Sequence, residues 1–151
     1  MLKGIPKIVS PELLKIPCEM GHGDEIVITD ANFPSASLGQ RIVRADGIDS
    51  TEMLKAILSL IPLDQYDNEH FILMEKCKGD RVDTEIWNVY KKVLKEFSPN
   101  SKISFLDRFD YYERAKKLTQ LLRQDRIDNM QILFLKKDVF YHENKCNIFC
   151  E

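Results

Sequence analysis

Short apolar runs rich in β-branched residues alternate along this chain with longer runs whose apolar residues recur every three or four positions. Such alternation is typical of α/β domains, in which strands and helices follow each other. We predict a single domain over residues 1–151, folded as a three-layer α/β/α sandwich with a mostly parallel central sheet. The predicted strands are 25–29, 41–44, 70–74, 103–106 and 132–135. The polar segment 138–151 is expected to be a loosely ordered tail.

Polar residues that can cap a helix precede each helical run. The predicted helices begin near residues 10, 49, 84 and 107, and the last of them is expected to reach about Arg123. Ser10 should cap the first helix, and Pro17 should kink or end it. The apolar stripe of the third helix is expected to be Ile86, Val89, Tyr90, Val93 and Phe97. Residues 32–35 are predicted to form a loop.

Composition and missing motifs exclude several kinds of protein. The net charge of −2 offers no basic surface for nucleic acid or for an anionic membrane, and no apolar run approaches the ~18 residues of a membrane helix. We expect no signal peptide. The four cysteines form no CxxC pair, so neither a zinc site nor a disulfide framework is predicted, and reduced thiols in the cytosol are expected. The sequence contains no GxGxxG, GxxxxGK[ST], HExxH or GxSxG motif.

One histidine is placed as an acid–base group would be. His22 lies between Gly21 and Gly23, just before the first predicted strand. Glycine on both sides permits positive φ and removes side chains that would crowd a ligand. An imidazole has an ordinary pKa of about 6.5, which suits proton transfer near neutral pH. A surface turn that happens to contain histidine is the alternative, and the residues alone leave both interpretations open.

Two charged residues follow predicted strands. Asp30 ends the first strand, and Arg108 comes soon after the fourth. Ligands of open α/β sheets gather outside the carboxyl ends of the strands, so these residues are candidates for one site. The structural alternative for Arg108 is an ion pair with Asp107 or Asp110.

Several separated motifs carry a family resemblance. Residues 20–26 (MGHGDEI), followed by 30–34 (DANFP), resemble the L-fucose mutarotase branch of the family shared with D-ribose pyranases. Further similar segments are 2–6, 10–14, 42–47 (IVRADG), 62–64 (PLD) and 108–115 (RFDYYERA). The resemblance covers residues 1 to about 137, with its motifs in the family's order.

The resemblance implies a cytoplasmic, cofactor-free isomerase that interconverts the α and β anomers of L-fucose, without a metal ion. It implies that His22 is the proton donor, and that Asp30, Arg108 and Tyr112 bind the sugar. It also implies a ring-like homo-oligomer, often a decamer in this family. The family's Tyr-Gly-Asn triplet before the last strand is replaced here by Asn129-Met130-Gln131. Gln131 and Asn129 are therefore the candidate sugar contacts at these positions, and the tyrosine phenol is missing.

Two other functions stay open. A D-ribose pyranase would interconvert pyranose and furanose forms, although the Arg-Ala-Asp-Gly and Tyr-Glu-Arg-Ala segments favour the fucose branch. A non-catalytic sugar-binding module would keep Asp30 and Arg108 but would not need a histidine flanked by glycines.

The distance along the chain between His22 and Asp30 raises a geometric question. A fully extended path would separate them by roughly 26 Å, too far for one monosaccharide to bridge. Either the Gly21–Asp24 loop folds back over a short strand, or His22 meets Asp30 of a neighbouring subunit. We favour the second arrangement.

Overall fold

The computed structural model describes residues 2–64, 69, 71–76, 79, 84–118, 120–123 and 133–138. Its elements in chain order are α1 (Pro11–Glu19), β1 (Glu25–Thr29), α2 (Ser35–Leu38), β2 (Ile42–Arg44), α3 (Ser50–Leu58), β3 (Phe71–Met74), α4 (Glu85–Phe97), β4 (Ser104–Leu106), α5 (Arg108–Lys116), β5 (Gln120–Arg123) and β6 (Leu133–Lys136). Two predicted site residues, Asn129 and Gln131, lie outside the described residues, as does nearly all of the predicted tail. No helix in the described ranges is long and apolar enough to cross a membrane.

The described strands form one six-stranded sheet in the order β2-β5-β1-β6-β3-β4. β6 runs antiparallel to both of its neighbours, β1 and β3, whereas the other three pairings are parallel. The sheet is therefore mixed, and the expectation of a mostly parallel sheet is not confirmed. Only residues 124–132 connect β5 to β6, which is shorter than the dozen or more residues that a parallel crossover requires. The short apolar run of β6 does not by itself reveal the direction of that strand.

The last helix is shorter than we predicted. α5 ends at Lys116, and residues 120–123 form β5, an interior strand between β2 and β1. The spacing of Leu118, Leu121 and Leu122 fits one face of a helix, so periodicity alone could not identify the strand. Pairing on both sides within the sheet decides the conformation instead. The predicted loop at 32–35 also leads into the one-turn helix α2.

Local signals placed the helix starts well. Ser10 caps α1, with its hydroxyl accepting from Leu13 N at 3.1 Å, and the helix ends two residues beyond Pro17. Asp49 caps α3 through the backbone N–H groups of Thr51 and Glu52. Thr84 precedes α4 without a side-chain cap bond.

The predicted stripe of α4 is partly wrong. Tyr90 and Val93 are buried as predicted, together with Leu94, but Val89 and Phe97 are 39% and 38% exposed. α4 packs on α3 through a face centred on Tyr90, whose hydroxyl donates to Ser50 Oγ at 2.9 Å. Residues at the margins of that face therefore stay in contact with solvent.

Helices cover both faces of the sheet. Ile26 and Ile28 of β1 belong to an apolar cluster with residues of α1, α3 and α4. Val27, between them in sequence, belongs to a second cluster with Tyr111 and Ala115 of α5. Successive side chains of a strand point to opposite faces, so β1 contributes to both cores and separates them. Both ends of this central strand carry polar side chains of the candidate site.

Candidate functional site

The His22 turn is fixed by main-chain bonds to the end of β6. Gly23 has a φ of +83°, a conformation that residues with a Cβ rarely adopt. Its N–H donates to Lys137 O at 3.0 Å, and Lys137 N donates to Asp24 O at 2.9 Å. Gly21 N donates to Asp24 Oδ2 at 2.7 Å, which closes the turn. The backbone of the turn is therefore well defined, while the His22 side chain is 48% exposed.

A buried carboxylate lies beside this histidine. His22 Nδ1 is 3.5 Å from Asp138 Oδ1, and the Asp138 side chain is only 3% exposed. Lys137 Nζ donates to Pro17 O at 2.9 Å and to Met20 O at 2.6 Å, which ties the end of α1 to the same segment. We call His22, Lys137 and Asp138 the amino-end cluster, because they lie at the amino end of β1.

No local pattern indicated a role for Asp138, which our prediction assigned to the polar tail. Its contact with His22 arises because β6 is antiparallel to β1, so that the end of β6 meets the start of β1. Residues 62–64 are hydrogen-bonded to the end of β6: Asp64 N donates to Lys136 O and Asp138 N donates to Pro62 O, each at 3.0 Å. The family-like segment 62–64 is thus a structural neighbour of the His22 turn.

Asp30 lies at the opposite end of β1, where it is buried. Its Oδ1 accepts hydrogen bonds from Asn32 N and Phe33 N, each at 3.0 Å. The Phe33 ring then meets the Tyr112 ring edge-on, with 5.5 Å between centroids. Arg108 Nε donates to the Tyr112 hydroxyl at 3.1 Å. Asp30, Phe33, Arg108 and Tyr112 therefore form one continuous group, which we call the carboxyl-end cluster.

Asp107, one of the two carboxylates considered as ion-pair partners of Arg108, lies at the start of α5. Its Oδ1 accepts from Phe109 N at 2.8 Å and from Asp110 N at 3.2 Å, so it caps α5. These backbone N–H groups, that of Asp110 foremost, lower the pKa of the Asp107 carboxyl. The Asp107 side chain in turn raises the pKa of Asp110. The cap fixes the first turn of α5, from which Arg108 reaches Tyr112 one turn later.

The two clusters are well separated within one chain. β1 has five residues, which span about 17 Å at ~3.3 Å each. Helix α5 runs beside it in the reverse direction, from Arg108 near Asp30 to Arg114 near the start of β1. The structure therefore links Asp30 to Tyr112 and Arg108 through Phe33, but it does not bring His22 to them within this chain.

A cavity of about 370 Å³ opens beside the start of β1 and is lined by Gly23, Asp24, Glu25, Arg114, Lys117 and Leu118. Arg114 donates to both carboxylate oxygens of Glu25 and to Glu69 Oε2. These two carboxylates raise the pKa of Arg114, Glu25 contributing most. The guanidinium is thereby held as a tie between α5 and β1.

The two neighbouring tyrosines of α5 differ in environment. Tyr111 is fully buried, and desolvation raises its pKa well above the ordinary value, so its phenol stays neutral near pH 7. Tyr112 is half-buried and holds Arg108. Within the described ranges, no group of three or more His, Cys, Asp or Glu side chains could hold a metal ion.

The fold and the two clusters define a single-domain α/β protein that carries a histidine beside a buried carboxylate at one end of its central strand and a hydrogen-bonded cluster at the other. Residues 3–145 match the RbsD / FucU transport protein family, and the chain belongs to that family. The resemblance stated from the motifs is confirmed.

Individual relatives are similar over nearly the whole chain. The fucose mutarotase of Danio rerio is 40% identical over 153 residues, covering 97% of this chain and 99% of the relative. The crystal structure of FucU from Bifidobacterium longum is 46% identical with a TM-score of 0.88, covering 92% of this chain and 100% of that one. The fucose mutarotase from Streptococcus pneumoniae, solved in complex with L-fucose, is 40% identical with a TM-score of 0.86, covering 93% and 100%.

Proposed function

We propose that this chain is an isomerase that interconverts the α and β anomers of L-fucose. The observation that carries the proposal is the 40% identity to a fucose mutarotase across 97% of the chain. The glycine-flanked His22 supports it, because a protein that only bound the sugar would not need an acid–base group there. We place the enzyme in the cytoplasm.

The reaction requires proton transfers at two oxygens of the sugar. The anomeric hydroxyl loses its proton to solvent while His22 donates a proton to the ring oxygen, and the bond between that oxygen and the anomeric carbon breaks. The aldehyde rotates, and the reverse transfers close the ring on its other face. No carbon–hydrogen bond breaks, so acid–base groups suffice for this chemistry. Each positioned group typically contributes ~10²–10⁴-fold to the rate.

The carboxyl-end cluster supplies groups that suit sugar hydroxyls. We propose that Asp30, Arg108 and Tyr112 hold the substrate, with Asn129 and Gln131 as further contacts. Asp30 is held by two backbone N–H groups, and Arg108 is held by Tyr112, so neither side chain must be ordered anew when sugar binds. Such preorganisation keeps the reacting atoms aligned.

The separation of the clusters supports a site shared between subunits. His22 of one subunit would meet Asp30 and Arg108 of a neighbour, since one sugar cannot span the length of β1. We therefore propose a ring-like homo-oligomer, and a decamer is the assembly that the family resemblance suggests.

Saturation-transfer NMR tests the proposed function. Anomer exchange is measured for L-fucose and D-ribose with and without protein. We expect acceleration of L-fucose exchange well above the spontaneous rate and a weaker effect on D-ribose. Faster exchange of ribose would favour the pyranase. Sugar binding without acceleration of either exchange would show that the protein is a non-catalytic sugar-binding module.

A further inference from the structure

Asp138 has the geometry of a residue that orients His22. Its side chain is almost completely buried, whereas the imidazole that it faces is about half exposed. A carboxylate in that position can fix the orientation of the ring through its Nδ1 edge. The 3.5 Å separation joins His22 Nδ1 to Asp138 Oδ1, so Nδ1 is the ring nitrogen that faces the carboxylate and Nε2 lies on the far side of the ring from it.

The two side chains sit on backbone segments that are bonded to each other. The residues that follow His22 are tied to Lys137 by the Gly23 N–H···O and Asp24 O···H–N bonds. Asp138 is anchored separately through its own N–H, which donates to Pro62 O at 3.0 Å. The carboxylate therefore has a fixed position relative to the turn, and a rotation of the imidazole would change its distance from that carboxylate.

The nearby charged groups make other contacts. Lys137 Nζ is bonded to the carbonyls of Pro17 and Met20, and Lys136 Nζ lies 3.4 Å from Asp64 Oδ2. Asp24, on the turn itself, accepts from Gly21 N. Asp138 is thus the carboxylate placed against the ring nitrogen itself.

We propose that Asp138 is a positioning residue for His22. It accepts the Nδ1–H of the imidazole and thereby selects the neutral tautomer that carries its proton on Nδ1. The doubly protonated ring donates its Nε2 proton to the ring oxygen of the sugar as the ring opens, and the neutral imidazole takes a proton back at Nε2 when the sugar ring closes. When His22 donates from Nε2, the imidazole that remains is the tautomer that the carboxylate favours. A neighbour's hydrogen bond commonly determines which imidazole nitrogen is protonated. The catalytic part of this inference rests on the proposed function.

Imidazole ¹⁵N NMR on the full-length protein tests the tautomer directly, without any sugar. The signals of His22 are assigned with His22→Gln, since the chain has three histidines. We expect the neutral form of His22 to carry its proton mainly on Nδ1. In Asp138→Asn the ratio of Nδ1–H to Nε2–H forms should fall at least about tenfold, as expected for loss of a hydrogen bond to a charged acceptor. Asp24→Asn removes a charge from the same turn and should leave that ratio unchanged.

Kinetics on the same variant supply the second measurement. For Asp138→Asn we expect kcat on L-fucose to fall about ten- to hundredfold, as is typical for the loss of a group that orients an active side chain. KM should stay within about twofold, since Asp138 is not proposed to touch the sugar. If Asp138→Asn fails to fold, the wild-type tautomer still decides the question. A wild-type His22 protonated on Nε2 overturns the inference.

The two proposals fail in different ways. A wild-type protein with His22 protonated on Nδ1 but without anomer exchange would overturn the proposed function and leave the pairing intact. A wild-type protein that exchanges L-fucose, together with an Asp138→Asn variant of unchanged tautomer and kcat, would overturn the role of Asp138 alone.

Discussion

The guanidinium of Arg108 lies over the ring of Tyr112, with its central carbon 5.4 Å from the ring centroid and its Nε donating to the phenolic oxygen at 3.1 Å. The two residues are four positions apart on α5, so one turn of helix brings them together. The stack orients the guanidinium of Arg108, although that residue is exposed.

Arg108→Lys should therefore weaken substrate binding more than it slows the chemistry. Lysine keeps the charge but loses the planar group that stacks on Tyr112 and the Nε donor. We expect KM for L-fucose to rise about fivefold, the effect of one hydrogen bond, with kcat nearly unchanged. Arg44→Lys is the matched control, because Arg44 pairs with Asp46 on the surface and should alter neither constant. A fall in kcat without a change in KM would place Arg108 in the chemical step.

His22→Gln should remove catalysis while preserving the fold. Glutamine can donate a hydrogen bond but cannot transfer a proton near neutral pH. The side chain is half exposed, and the turn is held by backbone bonds. We expect anomer exchange to fall at least about a hundredfold and the midpoint of thermal unfolding to stay unchanged. Near-normal exchange in this variant would exclude His22 from the mechanism.

Lys137 is expected to matter for stability. Its ammonium is buried and satisfies the carbonyls of Pro17 and Met20 near the end of α1. Lys137→Met would leave both carbonyls without that donor, and we expect the free energy of unfolding to fall by about 2–3 kcal/mol. Lys15→Met, which removes an exposed ion pair with Glu19, should change the free energy of unfolding very little. The free energies of unfolding of both variants are measured by urea denaturation. Equal losses for Lys137→Met and Lys15→Met would show that the buried contacts of Lys137 contribute little to stability.

The residues that sequence reasoning placed correctly are those with local signals. β1 has the predicted bounds because a β-branched run between a glycine turn and an aspartate can be recognised from a few consecutive residues. The Asp49 cap could also be predicted, because its side chain bonds to residues only two and three positions further along the chain. β5 was missed because its leucines also fit a helix, and only its two neighbours in the sheet make it a strand. Asp138 was missed because its contact with His22 depends on the direction of β6, which no periodicity encodes.

Gln131→Ala tests the altered triplet. If Gln131 takes the place of the family's asparagine, its amide binds the sugar, and the variant should bind L-fucose several-fold more weakly at unchanged thermal stability. Gln40→Ala is a matched control, because the Gln40 amide donates to Lys116 O on the surface. Unaltered affinity for L-fucose, measured by calorimetry, would mean that other groups occupy this side of the pocket.

Subunit mixing tests where the complete site is formed. If His22 of one chain meets Asp30 of its neighbour, inactive His22→Gln and Asp30→Asn chains can rebuild intact sites in mixed rings. After dissociation and reassembly in equal amounts, about a quarter of the interfaces should pair an intact His22 with an intact Asp30, with activity in proportion.

Two control mixtures use a double variant that carries both His22→Gln and Asp30→Asn. Mixing His22→Gln chains with the double variant should restore no activity, because neither chain has an intact His22. Mixing wild type with the double variant separates the geometries further: a shared site predicts about a quarter of full activity, and a site within one chain predicts about half. Mass spectrometry checks that mixed oligomers formed. Mixed oligomers without complementation, together with half activity in the last mixture, would place the whole site inside one subunit.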